Sequence, residues 1–135
     1  MSSEVALRFV ERINAHDPKG LVSLMTRDHT FTDSLGAVSR RPAIESGWNQ
    51  YFEMVPDYWI RIDRVISEGN TVVLVGVAGG SYVPRGRRRR PRDKWETPAV
   101  WIGRIVHQKV AEWRIYADNE PIRARMREWG AQSRT

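Results

Sequence analysis

The chain has 135 residues, 41% of them hydrophobic and 28% charged, a balance that suits a globular domain with a buried core and excludes a collagenous or bulk-disordered chain. No stretch nears the roughly 18 apolar residues of a membrane span, and with no cysteine there is no disulfide, no thiolate metal site and no cysteine nucleophile. The formal charge of +6 belongs to one segment, where Arg85, Arg87, Arg88, Arg89, Arg90, Arg92 and Lys94 face Asp93 alone, and elsewhere 15 basic residues balance 15 acidic ones.

Met1-Ser2-Ser3-Glu4 lacks the charged start and apolar run of a leader, so one domain, residues 1–135, with a cytoplasmic address is expected. Ser3 to Ile13 reads as an amphipathic helix, with Ala6, Phe9, Val10 and Ile13 on one face and Ser2 or Ser3 as its cap. Asn14-Ala15-His16-Asp17 breaks it. Asp17-Pro18 restarts a helix, aspartate as cap and proline at its first position, with Leu21, Leu24 and Met25 as the buried side. Thr30 to Asp33 reads as a short strand. Pro42 to Val55 reads as a third helix whose apolar stripe is Ile44, Trp48, Tyr51, Phe52 and Val55, stopped by Pro56-Asp57.

Strand patterns then follow at Trp59 to Val65, Thr71 to Val77, Thr97 to Val106 and Val110 to Ala117, with a tight turn near His107-Gln108. The segment Arg85–Lys94 falls between two of them, as an exposed hairpin connection. Pro121 to Trp129 closes the chain as a helix carrying Ile122, Met126 and Trp129, with Gly130 placed to terminate it. Helices segregated in sequence from an antiparallel sheet give an α+β layer architecture. Three helices against a strongly curved sheet would leave a conical cavity between the layers.

The succession Arg8-Phe9-Val10, Asn14-Ala15-His16-Asp17, Phe31-Thr32-Asp33-Ser34-Leu35-Gly36 and Glu112-Trp113-Arg114-Ile115-Tyr116-Ala117-Asp118 resembles the nuclear-transport-factor-2-like superfamily. Within it, the chain is similar to the SnoaL-like polyketide-cyclase and ketosteroid-isomerase branch from about Glu4 to Trp129. The resemblance implies a cone-shaped α+β barrel: three N-terminal helices packed on a strongly curved, antiparallel (mixed) sheet, and a short C-terminal helix. It also implies a small apolar ligand and a homodimer formed through the sheet. That superfamily holds isomerases, dehydratases, epoxide hydrolases, cyclases and binding proteins without chemistry, so the fold leaves the reaction open.

Asp33 matches the position of the isomerases' general base. Their two hydrogen-bond donors to a dienolate fall at Phe9 and Val100, which have no proton to give. One such donor is worth about 10²–10³ in rate, so steroid isomerisation of that kind is not expected. The aspartate–arginine–aspartate set of the epoxide hydrolases falls on Val73, Val75, Val77, Gly79 and Ile115, which cannot replace it. The pocket wall implied by the resemblance comprises Phe9, His29, Trp48, Phe52, Val100, Trp113 and Ile115.

Asp33-Ser34-Leu35-Gly36 is also a type I turn signature, so a turn role for Asp33 stands beside the catalytic one. His29 precedes Asp33 by four residues, about 13 Å along a strand, and reads as a partly exposed rim residue. His16 and His107 fall in turns and read as solvated. Three scattered histidines show no metal-ligand spacing, so no metal and no cofactor is expected. Trp101, Arg104 and Trp59 are assigned to the outer sheet face, and Asp118 to a helix cap. The arginine run could bind a polyanion, but it lacks the interleaved aromatics that stack bases, and nucleic acid is not an expected partner. The expected function is an acid/base isomerase, cyclase or dehydratase acting on an apolar carbonyl compound through Asp33, or a non-catalytic dimeric ligand-binding module of the same fold.

Overall fold

The computed structural model describes residues 1–133. Helix α1 (Ser2–Asn14) buries Val5, Ala6, Phe9, Val10 and Ile13 along one face. No serine caps it: the Glu4 amide donates to the Met1 carbonyl at 3.2 Å. At the corner that follows, His16 adopts φ 53° and its Nε2 sits 2.7 Å from the Tyr58 carbonyl oxygen. A carbonyl only accepts, so Nε2 carries the proton. The same ring stacks on Phe52 at 4.2 Å, so His16 joins helix to sheet instead of standing in solvent. Helix α2 (Pro18–Ser23) starts as its sequence requires, with the Asp17 carboxylate accepting from the Gly20 amide at 3.0 Å.

Strand β1 (Met25–Thr32) begins earlier than Thr30 and pairs with the short β2 (Val38–Arg40), which runs straight into α3 (Arg41–Met54). Then come β3 (Trp59–Glu68), β4 (Thr71–Ser81), a 3₁₀ turn at Pro91–Asp93, β5 (Lys94–Val106), β6 (Lys109–Ala117) and α4 (Glu120–Ser133). Gly130 does not stop α4. Its neighbourhood is open and it lies inside the helix, so nothing there demands a left-handed residue. The six strands form one sheet in the order β2-β1-β6-β5-β4-β3, antiparallel throughout except for the parallel pair β1–β6. Among the described residues no helix is long and apolar enough to cross a membrane.

Register decides which face each side chain takes. Leu74 opposes Trp101 across β4–β5 and Gly103 opposes Trp113 across β5–β6, and both tryptophans are buried on the concave face under the helices. Trp101 is therefore interior, at 1% exposure, and not on the outer face. Val100 sits between Val75 and Tyr116 on the convex side, with Val73, Val77 and Ile102 around it. Trp59 and Arg104 do lie on that side, opposite Gly79 and Thr71.

The ladder is irregular in three strand pairs, β1–β6 at Met25/Thr30, β3–β4 at Ile62/Arg64 and β5–β6 at Arg104/Ile105, and such irregularities add twist. A bulge falls between Ile62 and Arg64, and a Cβ on Gly76 would overlap the Arg61 carbonyl oxygen. Gly80, at φ 157°, leaves room in the same way for Val55. Gly76→Ala must push the two strands apart. It should lower the unfolding free energy by about 2–3 kcal/mol, seen as a lower urea midpoint.

Candidate functional site

Between α3, α4 and the concave face lies a cavity of about 380 Å³. Helix α3 contributes a stripe at helical spacing, Ala43, Gly47, Trp48, Tyr51 and Met54, which extends about 16 Å. The sheet supplies Phe31, Trp101, Trp113 and Ile115, and α4 supplies Ile122, Arg123 and Met126. Polar groups gather where β1, β2 and α4 meet: Asp33, Ser34, Ser39, Asn119 and Arg123. There the Asn119 amide donates to Ser34 Oγ at 2.7 Å and fixes the start of α4 over the β1–β2 turn.

Asp33 is half-buried at this polar end. Its Oδ1 accepts from the Leu35 amide at 2.9 Å and the Ala37 amide at 3.0 Å, while its carbonyl accepts from Gly36. Gly36 takes φ 86°, which a side chain would strain. The turn thus locks the carboxylate through one oxygen. Among the described residues no hydrogen bond is made by Oδ2.

Trp48, Trp113 and Ile115 line the cavity with Asp33, whereas Phe9, His29 and Phe52 stand behind its wall. Phe9 is fully buried against Trp113, ring centroids 4.6 Å apart, and Phe52 packs between Trp48 and His16. Val100 is on the other side of the sheet. His29 is not a rim residue: it is 1% exposed, with Nδ1 2.7 Å from the Val110 carbonyl oxygen. Nδ1 must donate there, which leaves Nε2 as a buried acceptor with no partner among the described residues.

Several lining groups were not assigned to the pocket from sequence. Arg123, Asn119, Met126 and Ile122 come from α4, whose pattern shows a buried face but not what that face covers. Tyr51 was legible only as part of the α3 stripe, and Tyr58, just after Pro56-Asp57, belongs to no periodic pattern. These two tyrosines close the far end of α3 with their rings edge-on, centroids 4.9 Å apart. Burial pushes both hydroxyls up, Tyr58 further through the neighbouring Tyr51 oxygen, so both stay protonated and can donate.

Residues 6–113 match the SnoaL-like domain. The chain belongs to that family. Its fold is shared with AclR, a hydroxylase candidate from Streptomyces galilaeus, at TM-score 0.78 and 15% identity, covering 94% of this chain and 96% of that one. IdmH, a polyketide cyclase candidate from Streptomyces antibioticus, matches at TM-score 0.78 and 18% identity over 93% and 98% of the two chains. A hypothetical protein with a ketosteroid isomerase-like fold from Catenulispora acidiphila, solved in complex with trimethylamine, matches at TM-score 0.77 and 19% identity over 90% of this chain and 91% of that one. At such identities the likeness establishes the fold alone. No curated protein matches the sequence.

The arginine segment of this SnoaL-like chain is not a loose tip. Asp93, its one acid, is fully buried and holds Arg90 through both oxygens, while Trp129 of α4 donates to it at 3.1 Å and lies 3.6 Å from the Arg90 guanidinium. The bonds from Arg90 hold the Asp93 carboxyl below the usual carboxylate range. Arg89 reaches Asp57 at 3.2 Å, and Asp57 in turn accepts from the buried Ser81. The charge is thereby tied to α4 and to the end of β4. On α4's other end, Asp118 accepts from the Glu120 amide at 2.9 Å, a helix-start role.

Burial lowers the His29 pKa from its ordinary 6.5, with the bond to Val110 opposing the shift only in part. Below about 6.5 the unfolded chain binds a proton that the folded chain refuses, so stability falls with pH until the depressed folded value is reached, by up to about 1.4 kcal/mol per pH unit. Urea midpoints measured from pH 7.5 to 5.5 should show this slope in the wild type and a shallower one in His29→Asn, whose amide can still donate to Val110.

Proposed function

We propose that the cavity binds a flat apolar carbonyl compound and that Asp33 moves a proton on it, in an isomerisation, cyclisation or elimination. The observation that carries this reading is a single carboxylate at the polar end of an aromatic cavity, anchored through Oδ1 by two backbone amides so that Oδ2 is left for the ligand. Trp48, Trp113 and Ile115 hold the ring system. Removing a proton beside a carbonyl places negative charge on oxygen. Phe9 and Val100 cannot steady that charge, but Arg123 and the Asn119 amide line the same end as Asp33. The hydroxyls of Tyr51 and Tyr58 offer neutral donors at the opposite end.

The retained turn bonds of Asp33 favour a second reading, ligand binding without chemistry. Deuterium uptake at the α-carbon of 2-tetralone separates the two. Asparagine keeps Oδ1, and so the turn, but cannot accept the proton. Asp33→Asn should therefore cut catalysed exchange by about 10²–10⁴, with tetralone affinity and urea midpoint held. Equal exchange in the two proteins would leave the binding reading standing.

We take residues 1–135 as one domain, working as a homodimer through the convex sheet face. Val75 and Val100 lie half-covered at its centre, and Tyr116 is 49% exposed beside them. Self-association across the sheet would cover this apolar strip. Sedimentation velocity should show a dimer that Tyr116→Arg converts to monomer, and a wild-type monomer would dismiss the assembly.

A further inference from the structure

Met54, on the last turn of α3, belongs to two hollows at once. On one side it walls the cavity described above, next to Tyr51 and Tyr58. On the other it borders a groove of about 510 Å³ between the end of α3 and the strand-end segment Tyr82–Arg87. Arg85 and Arg87 line that groove, with Glu53 as its one acid among the described residues. Met54, an unbranched side chain with three rotatable bonds, is the one described residue that lines both the aromatic interior and the cationic groove.

The loop that carries these arginines has a defined shape. Val83 donates to the Met54 carbonyl at 2.9 Å, and Tyr82 donates to the Asp93 carbonyl at 3.1 Å. Arg87 donates to the Pro84 carbonyl at 3.0 Å across a turn whose third residue, Gly86, has φ 80°. Further along, Asp57 and Asp93 engage Arg89 and Arg90. The acids of this region thus fix the loop through its later arginines. Among the described residues Arg85 makes no ion pair, and Arg87 has only the Trp129 ring, 5.6 Å from its guanidinium.

We infer that the natural ligand is an apolar compound bearing an anionic group of the phosphate or sulfonate type. Its ring system fills the aromatic cavity, its anion passes the displaced Met54 side chain, and Arg85 and Arg87 receive that anion in the groove. This rests on the cavity being the ligand site, and it assigns a role to the arginine run that proton transfer by Asp33 does not use. A long polyanion is disfavoured, because the cations beside the cavity are few and Glu53 stands among them.

Two fluorescent probes share one body: N-phenyl-1-naphthylamine is neutral, and 8-anilinonaphthalene-1-sulfonate carries an anion. The wild type should bind the sulfonate about tenfold more tightly at low salt, an advantage that fades as salt screens the exposed guanidinium groups. Arg85→Gln/Arg87→Gln should abolish the advantage and leave the affinity for the neutral probe as it was. Arg27→Gln/Arg64→Gln, which removes equal charge elsewhere, should keep it. Gly47→Trp, which fills the cavity, should weaken both probes. Equal affinities in the wild type, an advantage surviving in the Arg85/Arg87 variant, or sulfonate binding untouched by Gly47→Trp would each overturn the inference. If the neutral probe fails to bind at all, the cavity reading itself falls.

Discussion

Irregularities in the strand ladder, the one beside Gly76 in β3–β4 among them, are the constraint on which the curl of the sheet depends. At Gly76 two strands meet at a distance that admits no side chain, next to a bulge that adds twist. The sheet therefore curls, and its concave face turns Trp101 and Trp113 towards α3 and α4. A flat sheet would let the helices settle onto it, and the aromatic rings would pack as an ordinary core. Curvature keeps the layers apart at one end, and the stripe of α3 from Ala43 to Met54 becomes a wall. Strand geometry thus produces the volume in which any ligand chemistry takes place.

Charge is handled with similar economy. The composition places a net +6 on the chain, nearly all of it in one short segment. In the fold, a carboxylate with no solvent exposure gathers Arg90 and Trp129, and Asp57 gathers Arg89. Charge-assisted bonds of this kind carry more than neutral ones, so the most cationic stretch of the chain becomes a brace between β4, β5 and α4. Only part of the run is left to meet other molecules.

Much of this was legible from residues alone, and the exceptions have physical causes. Helical periodicity gave α1, α3 and α4, alternation gave β3, a β-branched run gave β4, strand patterns either side of a tight turn gave β5 and β6, and Asp17-Pro18 gave the start of α2. Strand parity says which residues share a side, but not which side faces the helices. Trp101 was placed with Arg104 on the outer face and Val100 in the pocket; Arg104 does lie outside, but Trp101, three residues away on the same strand, must face the other way, and Val100 shares the face of Arg104. His29 was read as a partly exposed rim residue and His16 as solvated because their partners, the carbonyls of Val110 and Tyr58, are distant in sequence and come close only in the fold. The β1–β2 turn announced itself in Asp33-Ser34-Leu35-Gly36. The polar contribution of α4 to the same corner did not, since no local pattern records where a terminal helix docks.

Helix α4 is riveted at both extremities, by Asn119 to Ser34 and by Trp129 to Asp93, with Arg125 bonded to the Lys94 carbonyl between them. Such a roof cannot swing on a hinge. The way in lies along the solvent-facing flank, where Ala43 and Gly47 of α3 and Arg123 of α4 are exposed on the rim of the cavity, so a guest meets a fixed ceiling and an open side.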